Sequence, residues 1–139
     1  MAGNDTRAIV ESFYQAYAAG DFDRIAAMIH DDIAWIMYGP VQVFPFQGPR
    51  KGKAQVLDVL AAIGKDYALE RYVPEIIIVE GERAAVVSEA AFMQRATKRT
   101  VSLRLANFLR FSDGRLIDFR EFTDTFDVVE QALGRWLDV

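Results

Sequence analysis

The stretch from Val101 to Phe126, VSLRLANFLRFSDGRLIDFREFTDTF, constrains the fold of this chain more than any other. It reads as two long β-strands joined at Ser112-Asp113-Gly114-Arg115, a turn of the Asp-Gly type. In the first strand the odd positions Val101, Leu103, Leu105, Asn107, Leu109 and Phe111 form an apolar row interrupted by one amide. The even positions include Ser102, Arg104 and Arg110, so the odd face is predicted to be buried. In the second strand Asp124 falls between Phe122 and Phe126 on one face. A buried amide and a carboxylate on neighbouring strands are therefore the first candidates for a site.

The rest of the chain fits one domain over 1–139, long enough to bury a proper core. Hydrophobic residues make up 52% and charged residues 26%, which describes a globular chain and not a disordered one. The net charge of -4 argues against a nucleic-acid surface. The basic group Arg95, Lys98, Arg99 sits where a hairpin tip is expected and reads as a solvated turn. Without cysteine there is no disulfide, zinc–thiolate site or thiol nucleophile, and the lone His30 excludes a multi-histidine metal site within one chain. No apolar run approaches a membrane span and MAGNDTRAI has no signal-peptide core, so a cytoplasmic protein is expected.

Helical periodicity predicts a first helix from about Asp5 to Ala19, capped by Asp5 or Thr6 and ended by Gly20. Its face carries Ile9, Phe13 and Tyr17, with Val10 and Tyr14 beside them. A second helix is predicted over Phe22 to Ile29, with His30 placed to interact with its carboxyl end. Asp31-Asp32 then marks a turn into a strand from Ile33 to Tyr38. The run Gly39 to Gly52 combines three prolines with Val41, Val43, Phe44 and Phe46, a composition expected of a loop folded over something apolar. A third helix over Lys53 to Lys65 precedes strands at Leu69–Glu80, Arg83–Arg95, Val101–Ser112 and Leu116–Phe126. Pro74 points to an edge or a bulge, and Asp127–Leu137 is expected to close the chain as a short helix. Helices followed by an antiparallel meander give an α+β class, with helices on one face of a curved sheet.

That order, with the residues YAAGDFD, MIHDDIAWIMYGP, PFQGPRKGKAQV and DGRLIDFREFTDTFD, resembles the nuclear-transport-factor-2-like superfamily. Within it, the chain is similar to ketosteroid isomerase-like and SnoaL-like polyketide cyclase proteins. The resemblance implies a cystatin-like α+β cone, a pocket between sheet and helices, and a homodimer through the sheet. It implies neither metal nor cofactor. The isomerase base position falls at Met37 and the oxyanion tyrosine of the first helix at Phe13, neither of which can do that chemistry. The second oxyanion donor falls at Asn107, whose amide can still donate. The acid of the cyclases and of limonene epoxide hydrolases matches Asp124. The further acid that those hydrolases need upstream has only Glu89 to match it, with no paired arginine nearby.

Asp124 is thus either a desolvated general base or a strand-end acid bonded to backbone or paired with Arg120 or Arg104. Asn107 must be satisfied by a ligand carbonyl, a water or Asp124. Glu89 is expected to pair with Arg104 or Arg120. Phe13, Tyr17, Trp35, Met37, Phe46, Leu105 and Phe122 are the expected wall of a pocket for a small, largely apolar molecule. Chemistry there would be proton transfer or water addition. The alternative is a non-catalytic binding or dimerisation module of the same fold.

Overall fold

The structure is a computed structural model that describes residues 3–139. The first two residues of the amino-terminal stretch read above for a leader lie outside the described residues. Over the described residues the order is α1 (Gly3–Ala19), α2 (Phe22–Met28), β1 (Ile29–Met37), β2 (Gly48–Lys51), α3 (Lys53–Asp66), β3 (Tyr67–Glu80), β4 (Arg83–Gln94), β5 (Thr100–Ser112), β6 (Arg115–Thr123) and α4 (Thr125–Leu133). The strands form one sheet in the order β2-β1-β6-β5-β4-β3. Every neighbouring pair is antiparallel except β1 with β6.

The sheet curls without closing, and the helices cover its concave face. Val10, Phe13 and Tyr14 of α1, Ile25 of α2, and Val56 and Leu60 of α3 meet Ile33, Trp35, Leu105, Leu109, Phe111, Leu116 and Phe119 of the sheet in one core. Each such side chain removed from water contributes roughly 1.5–3 kcal/mol before entropy is charged against it. This confirms the α+β cone expected from the sequence.

Two local differences from the sequence reading have physical causes. Asp31 and Asp32 do not turn the chain: β1 already begins at Ile29, with a register irregularity between Ile29 and Ala34 that accommodates the acidic pair in extended backbone. His30 consequently sits in the strand and caps no helix; its Nδ1 accepts from the Asp32 backbone N–H at 3.0 Å. β3, as expected from Pro74, is an edge strand with a register shift between Pro74 and Ile76.

The irregularity that decides the site lies in β6. Arg110 pairs with Asp118, but Phe111 pairs with Leu116, so Ile117 is an extra residue. A bulge of this kind flips which side chains face inward. Leu116 faces the core, and beyond the bulge Phe119 and Glu121 do. Without Ile117 as an extra residue, the inward set would continue through Phe122 and Asp124.

Two elements close the open end of the cone. The strap from Gly39 to Gln47 puts Phe44 against Val101, Val128, Val129 and Ala132 in a second apolar cluster. α4 is clamped to β5 through the Gln131 amide, which donates to the Ser102 carbonyl (2.8 Å) and accepts from the Ser102 N–H (2.7 Å). At the end of α4, an Arg99 N–H donates to the Ala132 carbonyl at 2.8 Å, so part of the basic turn has a structural use.

Candidate functional site

Asn107 projects inward from β5 and is fully buried, as its place in the apolar row requires. Its Oδ1 accepts the hydroxyls of Tyr14 on α1 (2.8 Å) and Tyr72 on β3 (3.3 Å). Its Nδ2 donates to Glu121 Oε1 on β6 at 3.1 Å, which is possible because Asn107 and Glu121 are cross-strand partners. The amide joins two tyrosines to one carboxyl across three elements. A buried group with this many partners is held in a single orientation.

Glu121 is 7% exposed, and its carboxyl stands in a largely apolar site. Burial raises its pKa from 4.5 to about 7, and the hydrogen bond from Asn107 pulls in the opposite direction. It is therefore divided between acid and carboxylate near neutral pH. The hydroxyls of Tyr14, Tyr17 and Tyr72 are pushed upward, first by burial and then by the Glu121 charge, and stay protonated.

Glu121, Tyr17 and Tyr72 border a cavity of about 70 Å³ at the heart of the cone. Glu121, Tyr17 and Tyr72 give it a polar end; Met37, Leu103, Leu105 and Phe92 form the sheet wall, and Phe44, Phe46, Gln47 and Val128 come from the strap and α4. A second space of about 10 Å³, room for about one water, lies deeper between Phe13, Trp35, Phe119 and Glu121. Among the described residues no group of three or more His, Cys, Asp or Glu side chains is placed to hold a metal ion. No described helix is long and apolar enough to cross a membrane.

The residues picked out from the sequence divide among three places. Tyr17, Met37, Phe46 and Leu105 line the main cavity. Phe13 and Trp35 are core residues that border the deeper space, where Trp35 stacks on Phe119 with ring centroids 3.9 Å apart. Asp124 and Phe122 lie elsewhere. Asp124 is the N-cap of α4, exposed, its Oδ1 accepting from the Asp127 N–H at 3.2 Å. It neither lines the cavity nor bonds to Asn107. Phe122 is 43% exposed on the outer face, stacked on Tyr38 and edge-on to Phe108. The Ile117 bulge moved both of them and brought Glu121 into the position that sequence periodicity assigned to Asp124. Phe13 has no hydroxyl, but its neighbour Tyr14 donates one to Asn107.

Glu89 is satisfied on the outer face by Arg71 of β3, at 3.4 Å between Oε1 and Nε. Its direct cross-strand neighbour Arg104 binds Glu75 instead, at 3.0 Å. Arg120, the other expected partner, pairs with Asp118 of its own strand.

Comparison with known proteins agrees with this architecture. The SnoaL-like domain family matches residues 10–119. A protein of Rhodopseudomonas palustris, provisionally named an isomerase, is 36% identical; the match covers 97% of this chain and 100% of that one with a TM-score of 0.84. An NTF2-like protein of Burkholderia xenovorans LB400 is 25% identical, over 95% and 98% of the two chains, with a TM-score of 0.81. An LEH-like epoxide hydrolase of M. tuberculosis, 20% identical over 95% and 92% of the two chains, shares the fold at a TM-score of 0.75. No curated protein sequence matches significantly. By its sequence and by its curled sheet and cone, the chain belongs to the SnoaL-like domain family of NTF2-like proteins.

Proposed function

We propose that this protein binds a small, largely apolar molecule in the cone and transfers a proton on it, with Glu121 as the acid–base group. One observation carries the reading: a single carboxyl, titrating near neutrality, borders an apolar cavity and is oriented by a buried amide. As carboxylate, Glu121 would take a proton from a carbon next to a ligand carbonyl and return it at another carbon, leaving an isomer. Tyr17, whose hydroxyl burial keeps protonated, would donate to the carbonyl oxygen as charge develops. Nothing in this sequence of steps requires a cofactor. The isomerase name of the Rhodopseudomonas relative is in keeping with it. Addition of water to the ligand is the variant of the same chemistry in which Glu121 deprotonates water.

The test is α-hydrogen exchange of 2-tetralone in D₂O, followed by proton NMR. The wild type should accelerate exchange over buffer, and Glu121→Gln should lose about 100-fold or more of that acceleration. Asp124→Asn should retain it. Exchange by Glu121→Gln at the wild-type rate would remove the carboxyl from the mechanism.

A specific observation favours the alternative of a binding module. Asn107, whose oxygen is taken by Tyr14 and Tyr72 and whose Nδ2 donates to Glu121, does not itself line the cavity, so its amide is not presented to a ligand oxyanion. Tight binding of the ketone without any exchange is the outcome that reading expects.

A homodimer through the sheet, in the cytoplasm, belongs to the same proposal. The outer face exposes Tyr38, Phe108, Phe122, Ile76 and Ile78, a set that pairing with a second copy would bury. Light scattering at micromolar concentration, with Phe108→Asp as the disruptive variant, distinguishes dimer from monomer.

A further inference from the structure

We propose that Gln47 is a specificity residue that reads a hydroxyl group on the molecule held in the cone; this rests on the binding reading above. Gln47 ends the strap, is 5% exposed and lines the same cavity as Glu121 and Met37. The register brings it close to the carboxyl: Met37 pairs with Gly48, the residue after Gln47, on one side and with Glu121 on the other.

The backbone of Gln47 is fully employed. Its N–H donates to the Phe44 carbonyl at 3.0 Å, and its own carbonyl accepts from Arg50 at 3.2 Å. The same guanidinium grips the carbonyls of Pro45 (2.9 Å) and Pro49 (3.0 Å), so the strap is secured without help from the Gln47 side chain. That side chain's Oε1 is buried with no hydrogen-bond partner. A buried amide oxygen in this state is an exception among folded proteins and calls for an occupant.

Space for the amide is built into the strap. A Cβ at residue 39 would collide with the Gln47 amide, and Gly39 is not among the glycines with positive φ, so what this glycine supplies is room. Of the other polar side chains that line the cavity, Thr123 donates to the Arg104 carbonyl at 2.7 Å and the Tyr67 hydroxyl accepts from Gln94 at 3.5 Å. The terminal torsion of glutamine is broad and nearly two-fold, so either amide atom can be presented to the cavity. A hydroxyl both donates and accepts, and satisfies the amide in either orientation. The ligand class is therefore an apolar ring or chain bearing an alcohol or phenol group beside the atom that Glu121 addresses.

The experiment is isothermal titration of the intact protein with 2-naphthol and with 2-methylnaphthalene, which differ in the hydroxyl and little in shape. The wild type should prefer 2-naphthol by about tenfold or more. Gln47→Met should bind both equally, and Gly39→Ala, which displaces the amide from the backbone side, should narrow the preference in the same direction. Glu121→Gln should keep it. A preference that survives in both Gln47→Met and Gly39→Ala, or is lost only in Glu121→Gln, overturns the assignment of Gln47 while leaving the pocket intact. Equal binding of both probes by the wild type does the same. If the wild type binds neither probe, the apolar-pocket reading fails and this inference fails with it.

Discussion

Replacing Glu121 with glutamine should make the protein more stable at neutral and alkaline pH, and the amount can be worked out from the structure. The side chain keeps its shape, and its amide oxygen can still accept from Asn107 Nδ2. What disappears is the ionisation of a buried acid. Its pKa is 4.5 when exposed in the unfolded chain and about 7 in the folded protein. Because the folded pKa is the higher one, the native state holds the proton more tightly, and this group's contribution is fully present below pH 4.5. It is lost as pH rises through about 7. The two values are about 2.5 pH units apart and each unit is worth about 1.4 kcal/mol, so the loss is about 3–4 kcal/mol. For a chain of this size that is a change in Tm of roughly 10 °C. Urea denaturation at pH 5, 6, 7 and 8 should show the wild type falling relative to Glu121→Gln across this window, with the two nearly parallel above it. A constant difference between the two proteins at all four pH values would refute the claim that Glu121 is buried and titrates near neutrality.

Three other substitutions probe the surroundings of the carboxyl. Asn107→Ala should cost about 2–4 kcal/mol, since it leaves two tyrosine hydroxyls and Glu121 without their shared partner; the Glu121 titration, followed by carboxyl ¹³C NMR, should move up because the bond that lowers it is gone. Asp124→Ala removes the N-cap of α4 and should cost about 1 kcal/mol by chemical denaturation, with ketone exchange unchanged. Arg50→Met releases the carbonyls of Pro45, Gln47 and Pro49, and should speed amide hydrogen exchange at Phe44 and Gln47 well before it changes exchange in β5.

The elements that follow from a local period were legible in the sequence. The face of α1, the buried odd row of β5, the Asp113-Gly114 turn and the edge position of β3 all rest on patterns that one strand or helix carries by itself. The missed acid depended on a relation between strands. Ile117 is extra only when β6 is laid against β5, and nothing in LIDFREF announces it as such. One signal was available: Phe119 and Phe122 are three residues apart, and a regular strand cannot bury both. Choosing Phe122 for the interior selected Asp124; choosing Phe119 would have selected Glu121. The pairing of Glu89 failed for a related reason. Its cross-strand neighbour was foreseeable, but the preference of Arg104 for Glu75 depends on the diagonal geometry of an edge strand.

The buried network has a structural explanation as well as a functional one, and the energetics separate them. A network meant only to tie β5 to β6 and to α1 would work with glutamine at position 121, which offers Asn107 an acceptor without the proton equilibrium. The acid does the same tying at a disadvantage of about 3–4 kcal/mol once it ionises, a large share of the margin on which a domain of this size exists. Asp124 makes the contrast: an exposed helix cap bears its charge in water, where it helps the amino end of α4. A carboxyl placed where its charge is least welcome, at the border of an apolar cavity and aimed by a buried amide, has the cost that acid–base chemistry exacts from a fold. Glu121 is therefore better explained by what it can do to a bound molecule than by what it does for the sheet.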